Sequence, residues 1–280
     1  MKIFDCFMYF DEEVVLDLRL NILNPVIDYF IIVESTFNHK GEKRKLKFDI
    51  KKYKKFEKKI VYLIFDEEPS GIEQVLKTDN EGEKSRKHIL NAALRENGQR
   101  NYISKGLEFA NEKDLILISD VDEIPNLEKI DWNTINDQII LFKQDMFYYK
   151  LNLKLPDLIW SGTKACKKKY LKSPQWLRNI KTKKIPFWKF YKERQPQLID
   201  DGGWHFSFLK KPKEISQKIK VFAHQEFKKN IFFDEKKIAE RIKNQKDLFD
   251  RNIKYEKVEI NEEFPKYILE NKLKFNEWII

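Results

Sequence analysis

"LILISDVDEIP", residues 115–125, runs four apolar residues and a serine into two aspartates one residue apart, then a glutamate and a proline. A run this apolar has no wet face. It suits a strand of a parallel sheet covered by helices on both sides. Ligands of an open α/β sheet sit beyond the carboxyl ends of its strands, and Asp120 and Asp122 stand at such an end. In extended backbone, residues two apart point the same way, so both carboxylates can approach one cation. Hard oxygen ligands select Mg²⁺ or Mn²⁺, which one or two carboxylates hold while substrate phosphates complete the shell. The competing reading is a polar turn whose aspartates cap the next segment, PNLEKI.

The sequence around this stretch alternates in the same style. IFDCFMYF (3–10), DYFIIVEST (28–36) and KIVYLIFD (59–66) read as strands. EEVVLDLRLNIL (12–23) reads as a helix, with acids in its first turn. KSRKHILNAALRENGQRNYISKGLEFA (84–110) is helical in pattern, with a break expected at Gly98. This β-α-β order predicts an open, twisted, mostly parallel α/β sheet flanked by helices. Farther on, 138–153 and 159–171 have strand patterns, QLIDDGGWHFSFL (197–209) follows, and 212–223 and 234–250 read as helices. The division expected is a main domain over 1–230 and, over 231–280, a helical extension of the same domain.

With 41% apolar and 14% aromatic residues in 280, the chain can bury a sizeable core. No stretch approaches the roughly 20 apolar residues of a membrane span. The N-terminal apolar run carries Asp5 and lacks a small-residue cleavage site, so it reads as a core strand rather than a signal peptide. Cys6 and Cys166 are the only cysteines. A reduced, cytoplasmic protein is the simplest account of them. The net charge of +10 is uneven: residues 40–59 hold eleven Lys/Arg against three acids, and 158–192 hold eleven and no acid. These runs are either solvated faces or attraction to something anionic, such as a phosphorylated glycan, a nucleotide or the inner face of a membrane touched peripherally. No nucleic-acid motif accompanies them, and nucleic acid is not an expected partner. Neither a G-x-G-x-x-G nor a P-loop pattern is present among the eight glycines.

"FDCFMYFDEEVVLDLRLNIL", "FIIVEST", "QRNYISKGL", "LILISDVDEIP", "QDMFYYKLN", "WSGTK", "GGWHFSFL" and "FAHQEF" occur in an order that resembles glycosyltransferase family 17, over residues 4–227. Apart from "WSGTK" (160–164), the lysine-rich middle, 155–196, matches nothing in the resemblance. That family includes N-acetylglucosaminyltransferases acting on N-glycans. The resemblance implies a GT-A-like fold and an inverting, Mn²⁺- or Mg²⁺-dependent transfer from a UDP-sugar to a glycan or lipid-linked saccharide; as a departure from the Golgi members, no N-terminal membrane anchor is expected here. It implies that Asp120 and Asp122 hold the donor diphosphate through the metal, and that Arg100 and Asn101 contact the donor. It places Glu34 near the uracil or ribose, with Cys6 and Phe7 either walling the nucleoside pocket or packing in the core. Trp204 is a sugar-stacking face or a core residue. His205 and His224 are candidates for a third metal ligand, His224 preferred because "HQEF" follows a helix end. An inverting transfer needs a base for the acceptor hydroxyl. Asp201, beside two glycines, comes first, then Asp145, then Glu226. A Mg²⁺-dependent nucleotidyl or phosphoryl transferase, and a basic glycan- or nucleic-acid-binding module without catalysis, are the rival readings.

Overall fold

The computed structural model describes residues 1–132, 135, 139–181, 196–222, 234–249, 251 and 253–280. Strands β1 (Ile3–Tyr9), β2 (Tyr29–Ser35), β3 (Ile60–Phe65) and β4 (Leu115–Asp120) are parallel, in the order β3-β2-β1-β4. The apolar runs of β1, β2 and β4 have no alternation because both faces are covered, whereas β3, at the edge, is half-buried and exposes Ile64. One face carries Phe7, Phe30, Ile32, Leu115 and Leu117; the other carries Cys6, Ile31, Val33, Ile116 and Ile118. Helix α1 (Glu13–Leu23) buries Val15, Leu16, Leu18, Leu20 and Leu23 on the first face. The 26-residue helix α2 (Glu81–Gly106) covers the second, begun by a capping box between Asn80 and Glu83. Gly98 does not break it. A Cβ there would stand 3.1 Å from the Phe65 ring, so the glycine serves close approach of helix to sheet.

The second half departs from the mostly parallel expectation, and the sheet is mixed. β5 is Glu123–Pro125, β6 Ile140–Tyr148, β7 Leu153–Lys167, β8 Gln197–Ile199, β9 Gly203–Ser207 and β10 Glu256–Lys257. β7 runs antiparallel to both β4 and β6, and β9 runs parallel to β6 and antiparallel to β5. The main path is β3-β2-β1-β4-β7-β6-β9-β5. The strand pattern over 138–153 ends early because Tyr149 takes a positive φ of 64° and turns the chain into β7. The remaining helices are α3 (Pro174–Arg178), α4 (Pro212–Phe222), α5 (Glu235–Lys243) and α6 (Lys266–Glu270).

Much of the first lysine-rich stretch, Ile50–Lys59, forms short 3₁₀ turns that meet at a kink at Tyr53. Tyr53 and Phe56 are buried, while Lys51, Lys54 and Lys58 stay exposed. The C-terminal segment is no appendage. Phe264, Ile268, Phe275 and Trp278 share one core cluster with Ile3, Leu16 and Leu20. Both cysteines are free and buried. Among the described residues no helix is long and apolar enough to cross a membrane.

Candidate active site

A cleft of about 890 Å³ opens at the carboxyl ends of β1 and β4, walled by α2. The parallel register pairs Met8 with Asp120, so the two strands deliver Met8–Phe10 and Asp120–Asp122 to one place. Arg100 comes to it from α2, His39 and Lys40 from the segment after β2, and Lys218 from α4. Burial pushes the His39 imidazole toward its neutral form, against the pull of Glu96. At the start of α1, Glu12 accepts from the Phe10 and Asp11 amides and from Lys218. Burial opposes its charge, but Lys218, Lys210 and those amides outweigh it and bring its pKa down to about 2.

Asp120 is gripped by two arginines. Its Oδ1 accepts from Arg100 Nη2 at 3.1 Å and its Oδ2 from Arg178 Nη2 at 2.7 Å. Burial raises its pKa, and the two guanidinium groups override that and hold it well below the usual carboxylate range. Glu123 is fully buried and lies behind it. Its carboxylate accepts from Arg178 at 2.8 and 3.0 Å, from Trp160 Nε1 and from the Asp120 amide.

A second buried arginine system supports the turn from below. Arg19 and Asp5, both fully buried, pair through two hydrogen bonds of 2.5 and 2.8 Å. Arg19 Nη1 also donates to the carbonyls of Asp120 at 3.1 Å, Val121 at 3.2 Å and Glu123 at 2.7 Å, while Nη2 reaches Ser119 Oγ. The guanidinium stacks 4.6 Å from the Phe7 ring centre. Residues of a strand, the turn after it and the helix across from them are thus tied through one side chain.

Asp122 is different. Its side chain is largely buried, yet no arginine among the described residues holds it. Its Oδ1 lies 3.5 Å from His205 Nε2. Burial lowers the His205 pKa, and Asp122, with Glu123 and Asp120, reverses the effect and raises it. His205 Nδ1 is buried without a hydrogen-bond partner. Among the described residues no three His, Cys, Asp or Glu side chains converge as a ready cation cage. The donor set nevertheless fits a Mg²⁺ or Mn²⁺ carried by a phosphate ligand, which needs only one or two protein carboxylates. Asp122 is the carboxylate that could hold it, with the His205 imidazole alongside.

The structure redistributes the other expected residues. Cys6 and Phe7 are fully buried in the two cores; Met8, farther along the same strand, and Phe10, just past its end, line the cleft instead. Glu34 is fully buried, and its oxygens accept from the Lys47 and Phe48 amides, Tyr62 Oη and Arg44. With four donors around it, it organises the loop after β2 and has no lone pair left for a nucleoside. Asn101 is exposed, and its Oδ1 accepts from the Gln175 amide at 3.0 Å, docking α3 on α2. Trp204 is a core residue whose indole donates to the Glu263 carbonyl.

Of the three expected bases, Asp145 and Asp201 do not line the cleft. Register places Asp145 beside Trp204, on the opposite face from the adjacent pair Met146 and His205, and its carboxylate pairs with Lys154 at 2.8 Å. Asp201 is an exposed turn residue at φ 48°. The Asp122 carbonyl accepts from the Phe206 amide, five residues beyond Asp201. At strand rise that separation is on the order of 15 Å. The glycines beside Asp201 serve packing: a Cβ on Gly203, at φ 132°, would stand 2.2 Å from the Ile124 carbonyl oxygen. His224 and Glu226 lie outside the described residues.

Sequence reading missed Arg19, Glu123 and Arg178. Nothing in the motif separates Glu123 from a solvated turn acid, and Arg178 sits in a lysine-rich stretch without a motif.

A family model described as Glycosyltransferase family 17 matches residues 1–276. No curated protein and no solved structure gives a significant match.

Proposed function

The chain belongs to glycosyltransferase family 17, and from that membership we propose a metal-assisted, inverting transferase. The donor is a nucleotide sugar, a UDP-sugar with UDP-GlcNAc the first to try. The acceptor is a hydroxyl of a glycan, free or lipid-linked. The observation that carries this reading is the pair of carboxylates at the end of β4. One is locked between arginines, and the other faces the same cleft outside that grip. A bound Mn²⁺ or Mg²⁺ would neutralise the leaving diphosphate, so that no acid need protonate it. Asp122 would hold that ion. Arg100, anchored by Asp120 and Glu96, brings fixed positive charge to the cleft wall. Fixed charge in a partly water-excluded site favours a diphosphate more than the same charge in open solvent.

A thermal-shift screen of nucleotide sugars, with and without Mn²⁺, tests the reading. A ligand at 100 times its dissociation constant adds about 2.7 kcal/mol. For a domain of this size that is a rise of roughly 5–10 °C in Tm. UDP and one UDP-sugar are expected to give it in Mn²⁺, and far less in EDTA. No response to any nucleotide sugar in either buffer would remove the proposal. Release of pyrophosphate rather than UDP during turnover would move the enzyme to the nucleotidyl transferases.

The geometry also sets an expectation for the acids kept from the cleft. Asp145→Asn and Asp201→Asn are each expected to keep kcat within about threefold of wild type, far from the 10²–10⁴-fold loss of a general base. Asn tolerates the left-handed conformation of position 201 as well as Asp does. A hundredfold loss in kcat at either position, with donor affinity intact, would restore that residue as the base.

A further inference from the structure

Arg178 is the last residue of α3, a short helix held from three sides. Ser173 caps its start by accepting from the Trp176 amide. Gln175 fastens it to α2, its amide donating to Asn101 Oδ1 and its Oε1 accepting from Arg100. Leu177 is fully buried among Cys166, Ile103 and Ile118. At the other end, Lys164 Nζ donates to the Arg178 carbonyl. The guanidinium therefore leaves a fixed backbone, and it spans two carboxylates: Asp120 Oδ2 at 2.7 Å, and both oxygens of Glu123 at 2.8 and 3.0 Å. Its remaining acceptor is the Gly162 carbonyl at 3.3 Å.

Three acids, Asp120, Asp122 and Glu123, crowd into four consecutive residues. Without a fixed cation among them, a divalent ion would meet at least two carboxylates. With Arg178 and Arg100 in place, each oxygen of Asp120 already accepts from a guanidinium and faces its positive charge, which makes Asp120 the poorer ligand for a cation, and Glu123 is covered. We infer that Arg178 is a positioning residue that withholds Asp120 from the cation and leaves Asp122 as the carboxylate the ion meets. The inference deepens the metal-assisted transferase reading and rests on it. It implies a trade: the clamp weakens metal binding to the free protein, and in return fixes the turn in the form used for transfer.

That trade has a sign a merely structural arginine would not produce. Arg178→Met removes a positive charge beside two carboxylates and frees Asp120. Mn²⁺ binding in the absence of donor, read by electron paramagnetic resonance, is expected to tighten roughly three- to tenfold. In the same variant kcat is expected to fall about 10–100-fold, the usual cost of losing a partner that orients a ligand. Arg178→Lys keeps the charge and loses the planar fork. Its Mn²⁺ affinity is expected within about twofold of wild type, because the charge is unchanged, with a kcat roughly tenfold lower.

Folded Arg178→Met with unchanged or weaker Mn²⁺ binding, or with wild-type kcat, would overturn the inference while sparing the enzyme class. If Arg178→Met does not fold, Arg178→Lys decides: wild-type kcat there overturns it, and a lower kcat at unchanged Mn²⁺ affinity supports it. Wild-type protein that binds no Mn²⁺, with UDP or without, would overturn the metal-assisted reading and this inference together.

Discussion

Asp122→Ala is expected to lose glycosyl transfer by at least about 10³-fold, since a cation at a leaving phosphate contributes several kcal/mol and each 1.36 kcal/mol is tenfold. The fold is expected to survive, because among the described residues the side chain's one close charged partner is His205 at 3.5 Å. Asp120→Ala separates from it. Removing Asp120 leaves Arg100 and Arg178 facing each other without the carboxylate between them. That variant is therefore expected to lose stability as well as activity, by about 1–3 kcal/mol for donors left unpaired. Transfer kinetics, Mn²⁺ binding and thermal melts on both variants make the comparison. Wild-type turnover in Asp122→Ala, or undiminished turnover in EDTA, would end the proposed mechanism. Equal melting temperatures for Asp120→Ala and wild type would show that the arginine grip is not a source of stability.

Arg19→Leu is expected to cost about 3–5 kcal/mol, the range for breaking a buried ion pair by removing one partner. Against a total stability of about 5–15 kcal/mol that is a large share. The loss has two parts. Asp5 stays buried with no cation, and three carbonyls of the 120–123 turn lose their donor. The double variant Asp5→Leu/Arg19→Met separates them. It removes the orphaned charge and is expected to regain most of the stability, as apolar replacements of buried pairs commonly do. It does not restore the donor to the turn, so transfer is expected to stay at least about tenfold below wild type. Urea unfolding and kinetics on the single and double variants supply both readings. An Arg19→Leu protein within about 1 kcal/mol of wild type would contradict the weight placed on this pair, since ordinary surface changes fall within that range.

The parts of this molecule that could be read from sequence are those whose cause is local. β1, β2 and β4 announce themselves as apolar runs because their neighbours on both faces are apolar. The place of the D-x-D pair follows from the general rule about strand ends. Arg19 could not be read. In EEVVLDLRLNIL it looks like the polar stripe of a helix, and its partners in the turn lie 101 to 104 residues away. Arg178 reaches Asp120 and Glu123 across 58 and 55 residues from within a lysine-rich stretch that gave no reason to single it out. Glu34 and Trp204 misled for a related reason. A carboxylate at a strand end and a tryptophan after two glycines have the composition of a binding site. Only the packing around them shows that their polar atoms are already engaged. Gly98 shows the same limit in a helix. Its propensity argues for a break, while contact with Phe65 gives it a packing role.

The shared core of the first and last segments bears on how the chain is made. β1, α1 and β2 emerge early, yet the face they bury is completed by Phe264, Ile268, Phe275 and Trp278. The Ile280 amide is also fastened to Asn152, between β6 and β7. At a synthesis rate of roughly 5–20 residues per second, the ribosome needs about ten to thirty seconds to go from the end of β4 to Trp278. Throughout that interval the nascent sheet has one apolar face unfinished, so the early half of this protein is a natural client for chaperones that shield exposed hydrophobic surface until translation ends.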